Sequence, residues 1–251
     1  MTAATQGVIA TGDLDGLRFV RLYLVDPDDM SHLETAAEDY DYVFAYSLTD
    51  FGAMPGFERE VKATQLVTLD GNEDDVFNGL NKNNRYKVRR SFRDEDVVVS
   101  VDDANREASL AFYKAVKTAD GVTPDIDEDF TTVRWINAYR EGDLISSTCW
   151  FDSGHVLRAK HIVSTRKDHG ADSNLIGRLT RRLFWEACVV GIGEGHSYID
   201  LGGVDTNTET KSGVADFKLS FGGETVDVYV YRKTTPEWDE MAGRVNDRVI
   251  V

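Results

Sequence analysis

The sequence predicts an α/β protein built on a mixed sheet. Three observations lead there. Short runs rich in β-branched and aromatic residues recur between Asp, Gly and Pro punctuation. Helical periodicity appears between several of those runs. The 251 residues, 41% of them hydrophobic, suffice for one large domain or two small lobes with cores of their own. No stretch of about 18 apolar residues occurs, and Met1 to Thr11 lacks the basic start and apolar run of a secretion signal. A protein without a membrane span, in the cytoplasm, is the expectation.

Taken in order, Leu17 to Val25, Tyr42 to Ser47 and Ala63 to Leu69 read as strands by composition. Asn72 or Asp74 then caps a helix running to about Phe92, with Phe77, Leu80, Val88 and Phe92 at helical spacing. Val97 to Val101 is a short strand. Ala108, Ala111, Phe112, Ala115 and Val116 mark a second helix ending near Gly121, and Glu128 to Tyr139 predicts a third. Leu144 to Phe151 and His155 to Val163 are strands joined at Asp152-Ser153-Gly154. A long helix over 173–190 aligns Leu175, Ile176, Leu179, Leu183, Ala187 and Val190, with Gly191 and Gly193 as its stop. Strand Ser197 to Leu201, a short helical or irregular stretch Gly213 to Phe221, strand Thr225 to Tyr231 and a polar helix near Trp238 complete the chain.

The charge is strongly skewed. The formal net charge is -16, Asp outnumbers Glu by 29 to 15, and Arg outnumbers Lys by 18 to 10. Excess carboxylates keep a protein solvated where salt screens their repulsion, so a salt-adapted, halophilic cytoplasm is one reading and an acidic protein of an ordinary milieu the other. Wholesale coating of nucleic acid is disfavoured, because affinity for phosphate backbones needs clustered cations. Cys149 and Cys188 sit in apolar-rich segments without a CxxC partner and read as buried thiols. His32, His155, His161, His169 and His196 show no metal-ligand spacing, and no metal is expected. His161 and Tyr198 fall on strands where either could relay a proton or be packed for structure.

One local exception to the acidity stands out. Six of the twelve positions from Lys82 to Arg93 are cationic, with no acid between Asp75 and Asp94. At 100° per residue, Lys82, Arg85, Arg89 and Arg93 fall within an arc of about 80°, roughly opposite Leu80, Asn84 and Val88. Such a stripe either holds a phosphate-bearing ligand, for which Arg has the right planar fork, or pairs with the surplus Asp residues.

Two glycine-rich runs carry the rest of the functional argument. Tyr198-Ile199-Asp200-Leu201-Gly202-Gly203 is followed by Gly213-Val214-Ala215-Asp216-Phe217-Lys218-Leu219-Ser220-Phe221-Gly222-Gly223. The pair resembles the signature of the Fem-type N-acyltransferases of the GNAT superfamily, where a strand ending in Asp-x-Gly-Gly precedes Gly-x-x-x-Phe-Lys-x-x-Phe-Gly-Gly. The basic segment from Leu80 to Ser91 is similar to the helix that joins the two lobes in that family. Gly222 and Gly223 either shape turns, line the site, or do both.

The resemblance implies a GNAT-like acyltransferase fold, with residues 1–93 as a reduced first lobe ending in the basic helix and 94–251 as the acyltransferase domain. It also implies attack of a small-molecule or peptide amine on an activated acyl donor, either acyl-CoA or aminoacyl-tRNA. Lys218 would stabilise the oxyanion, Asp200 would orient the amine or Lys218, and Lys82, Arg85, Arg89, Arg166, Phe217, Gly202 and Gly203 would contact the donor and its phosphates. Arg166 and Ala171 match the outer positions of the pyrophosphate loop that opens the long helix in many GNAT enzymes, but His169 stands where its first glycine belongs, and Gly170 is displaced by one. Lys218 as an ordinary surface lysine, and the whole chain as a non-catalytic module for a polyanion or protein partner, are the alternatives.

Overall fold

A computed structural model describes residues 8–165, 173–204 and 212–245. The chain forms two compact units. The first comprises residues 1–63, 123–132 and 227–251, and the second residues 64–122 and 133–226. Residues 93 and 94 thus both lie in the second unit, because the basic helix packs on that unit's long helix.

In the first unit, β1 (Val8–Leu14) and β2 (Leu17–Tyr23) form an antiparallel hairpin. Its turn residues Asp15 and Gly16 both have positive φ, as a tight hairpin of this hand demands. The chain crosses through α1 (Met30–Asp39) to β3 (Tyr42–Ser47), which lies parallel to β2. Late in the sequence β10 (Glu224–Thr234) pairs antiparallel with β3 through Tyr229 to Thr234. Val20, Leu22, Leu33, Val43, Ala45 and Tyr231 make one core, while Trp238 of α7 (Pro236–Val245) stacks on Tyr42 beside Phe19 in another.

The second unit takes its strands from the end of β4 (Glu58–Thr68), from Thr64 on, and from β5 (Val97–Val101), β6 (Arg134–Arg140), β7 (Asp143–Asp152), β8 (Val156–Ser164) and β9 (Tyr198–Gly203). From β5 the ladder runs β6, β7, β8, β9 and then β4, antiparallel throughout except for the parallel β8–β9 pair. The long helix α5 (Ser173–Glu194) covers one face with Leu179, Leu183, Phe184 and Ala187. On the other face lies α4 (Arg106–Ala119), whose Ser109 accepts a hydrogen bond from Asn137 of β6.

Three sequence expectations are corrected. The helix expected over Glu128 to Tyr139 is a short 3-10 turn followed by β6. Trp135, Ile136, Asn137 and Ala138 are all buried, so the strand is covered on both faces and shows none of the alternation that marks a strand. The helix expected from Asn72 to Phe92 is two helices, α2 (Glu73–Gly79) and α3 (Lys82–Ser91), because Leu80 is extended and Asn81 caps α3 through the Asn84 N–H. The long helix passes through Gly191 and Gly193 and ends before Gly195, whose φ is +81°. Gly191 is a packing residue: a Cβ there would lie 2.6 Å from Leu69 Cδ1. Strand β1 and helix α1 carried no expectation at all. The final short helix of the second unit, α6 (Ser212–Leu219), falls where a helical or irregular stretch was expected.

Candidate functional site

The parallel pair β8–β9 is short. Val156, Leu157 and Arg158 pair with Tyr198, Ile199 and Asp200, and no further pairing of these two strands occurs among the described residues. Both continue, β8 to Ser164 and β9 to Gly203. The sheet therefore opens as a fork beyond Arg158 and Asp200, leaving backbone groups of two strands facing a gap.

Asp200 anchors the apex of that fork. It is fully buried and accepts hydrogen bonds from the Thr64 hydroxyl, the Arg158 guanidinium and, at 2.8 Å, the Gly202 N–H. Gly202 takes a φ of +80° where β9 slips against β4, with Leu201 and Gly202 of β9 opposite Gln65 alone in β4. That extra residue brings the chain round so that Gly203 presents its carbonyl to Lys218, whose Nζ donates to it at 2.7 Å. A Cβ on Gly202 would stand 3.4 Å from Lys218 Nζ and 3.5 Å from the Ala159 carbonyl of β8, so backbone from both arms and the lysine converge on one point.

Lys218 is half-buried on α6. Burial and then the neighbouring Arg158 lower its pKa to about 8, against the opposing pull of Asp200. Phe217 fixes the helix beside it by packing on Phe184 and Phe221, at 5.3 and 5.2 Å between ring centroids, beneath the guanidinium of Arg181. Downstream, Gly222 and Gly223 carry φ of +78° and +79°, and Cβ atoms there would lie 2.5 Å from the Gly79 carbonyl and 2.0 Å from that of Leu66. Both glycines permit close backbone approach.

The basic helix reaches this site through Asn84. Its amide donates to the Ser220 carbonyl and hydroxyl, two residues beyond Lys218, while its oxygen accepts from Arg181 of α5. Lys82, Arg85, Arg89, Arg90 and Arg93 form no ion pair with any described carboxylate, in a chain where Arg134, Arg140, Arg178 and Arg182 all do. Arg85 is committed locally, donating at 2.6 Å to the carbonyls of Asn78 and Leu80 and so closing the end of α2. Arg89 lies over the Phe77 ring, and Lys82 is exposed. Arg93 lies beyond α3.

Arg166 lies outside the described residues. His161 stands on the open arm of β8 and shares a hydrogen bond of 3.2 Å with the buried Tyr113 hydroxyl, whereas Tyr198 is in the paired part of β9. The residues not anticipated from sequence are Arg158, Thr64, Asn84 and Arg181. Arg158 gave no distinguishing signal, being one of two cations, with Lys160, in the strand Val156 to Ser164. Elsewhere, Asp152, Glu194 and His196 cluster closely enough to hold a cation, but Arg134 already bridges Asp152, Glu194 and Asp102.

In the second unit, a mixed sheet whose parallel β8–β9 pair forks, with a long helix on one face, is the GNAT-like fold expected from the sequence. No family model matches the chain, and no curated protein does. Among solved structures the chain is similar to FemX, with a TM-score of 0.61 and 13% identity over 94% of this chain and 86% of that one. The structure of L-PGS from Bacillus licheniformis matches with a TM-score of 0.53 and 13% identity over 98% and 87%. The C-terminal domain of a putative lysylphosphatidylglycerol synthetase from Agrobacterium fabrum matches at 0.50 and 13% over 94% and 84%. At these identities the likeness is one of fold. No helix among the described residues is long and apolar enough to cross a membrane.

Proposed function

We propose that the chain is an N-acyltransferase that moves an acyl or aminoacyl group from an activated, phosphate-bearing donor, acyl-CoA or aminoacyl-tRNA, to an amine of a small molecule or peptide. The observation that carries this reading is the apex of the β8–β9 fork, where Lys218, Asp200, Arg158 and the Gly202-Gly203 backbone converge. An acyl group lodged there has exposed strand backbone along it and a lysine amine beside its carbonyl. The chemistry asked of the protein is modest: hold amine and carbonyl in line and stabilise the oxyanion, with no covalent enzyme intermediate. Lys82 and Arg89 would meet the donor's phosphates, and Asp200 would hold Arg158 and the Gly202 turn in place.

Lys82, Arg89 and Arg90 of α3, which ion-pair with no described carboxylate, and Tyr86 exposed among them favour one second reading, a non-catalytic module that binds a polyanion. A donor screen separates the two. Purified protein is offered acyl-CoA with mixed amines and free thiol is measured, or it is offered aminoacyl-tRNA and deacylation is followed. Amine-dependent release from either donor supports transfer. Binding of the donor without release supports the module.

A further inference from the structure

An amine acceptor arrives as an ammonium ion and attacks only as the free amine, so the proposed transfer needs a base. The apex of the fork holds three candidate groups. Asp200 is buried and its carboxylate is engaged by Thr64, Arg158 and the Gly202 N–H. Arg158 keeps its proton at every working pH. Lys218 is different: among the described residues its one hydrogen bond is to the Gly203 carbonyl and it forms no ion pair, and a guanidinium is its neighbour. The strand apex has placed a lysine beside a carboxylate whose oxygens are already taken.

We infer that Lys218 is the general base of the site, standing as the free amine when the acceptor binds and becoming the cation that faces the oxyanion only after taking the acceptor's proton. This rests on the acyl-transfer reading above. The pKa of about 8 supports it, since an appreciable share of the lysine is neutral near pH 7 to 8. The charges that bear on its amine are Arg158 from β8 and Asp200 from β9, while Asp216, two residues back on α6, is exposed on another face.

The proton count closes. The acceptor ammonium gives one proton to the lone pair of Lys218 Nζ. Its freed lone pair forms the C–N bond at the acyl carbonyl, and the carbonyl π pair moves to oxygen. On collapse the C=O bond reforms, and the bond to the donor's sulfur or ester oxygen breaks with its electron pair. Lys218 returns its proton to that leaving group, a second nitrogen proton passes to water, and the third remains on the amide.

Two measurements test this. Trace labelling with acetic anhydride from about pH 6 to 11, read by mass spectrometry, should give Lys218 a reactivity midpoint near 8, well below the other lysines at about 10.4. Co-titration with the bulk lysines overturns the proposal. Kinetics on whichever donor the wild type turns over supply the second. Lys218→Arg, a permanent cation, should lose kcat on the order of 100-fold with KM little changed, and Lys218→Ala should regain part of its rate from a small tertiary amine, which takes a proton but forms no amide. Wild-type kcat in Lys218→Arg overturns the base and leaves acyl transfer standing. A wild type that transfers from neither donor, whatever the labelling midpoint, overturns the acyl-transfer reading and the role of Lys218 with it.

Discussion

Lys218 shows what the fork does to a single residue. Its folded pKa of about 8 lies below the 10.5 of an ordinary lysine, so the unfolded chain binds the proton over a range where the folded chain has released it. Stability from this group therefore rises as pH climbs from about 8 to 10.5, and below 8 the folded state carries a poorly solvated charge. Lys218→Met should accordingly be more stable than wild type at pH 7, with the difference shrinking toward pH 10; urea unfolding of both chains at the two pH values measures it. A methionine that destabilises at pH 7 would mean the ammonium is well solvated where it sits. Lys218, Asp200 and the Gly202-Gly203 pair were legible as candidates in the sequence because they fall in the two glycine-rich runs that carry the resemblance. Arg158 was not, because its meaning depends on which strand β8 pairs with, and a parallel partner 42 residues away leaves no local trace.

Among the elements, legibility followed burial pattern. Helices α4 and α5 bury one stripe and keep the helical period, so composition located them. Strand β6, covered on both faces, lost its period and read as helix. The break between α2 and α3 was hidden because Leu80 remains in register with the apolar face while its backbone is extended. That break divides the basic stripe by role. Arg85 closes α2, so Arg85→Gln should lower the melting temperature. Lys82→Gln with Arg89→Gln should leave it nearly unchanged while weakening donor binding and flattening its salt dependence, checked by calorimetry and by titration at two salt concentrations. The Gly222-Gly223 turn makes the sharper structural prediction. Gly223→Ala puts a Cβ into the Leu66 carbonyl at positive φ, and should cost on the order of 2–4 kcal/mol in denaturant unfolding.

At the scale of the whole molecule, the net charge of -16 acts on every part of the chain at once. Screening relieves carboxylate self-repulsion, so thermal stability should rise as KCl goes from low to molar concentration, each 1 kcal/mol gained appearing as roughly 2–4 °C for a chain of this size. A flat or falling melting temperature would remove salt adaptation from the account and leave the fold untouched. The fold was legible at this scale because strand and helix order survives even when single elements are misread. The two-unit division was not, since the first unit is assembled from three separated stretches of chain that only tertiary contacts bring together. What the fold is for rests on the fork, and one measurement addresses that most directly: formation of the amide product from labelled acyl-CoA or aminoacyl-tRNA and a panel of amines, compared between wild type and Lys218→Ala. The account predicts an amide with the wild type and a rate lower by on the order of 100-fold in Lys218→Ala at unchanged fold. No amide from the wild type, or equal rates from the two chains, would contradict it.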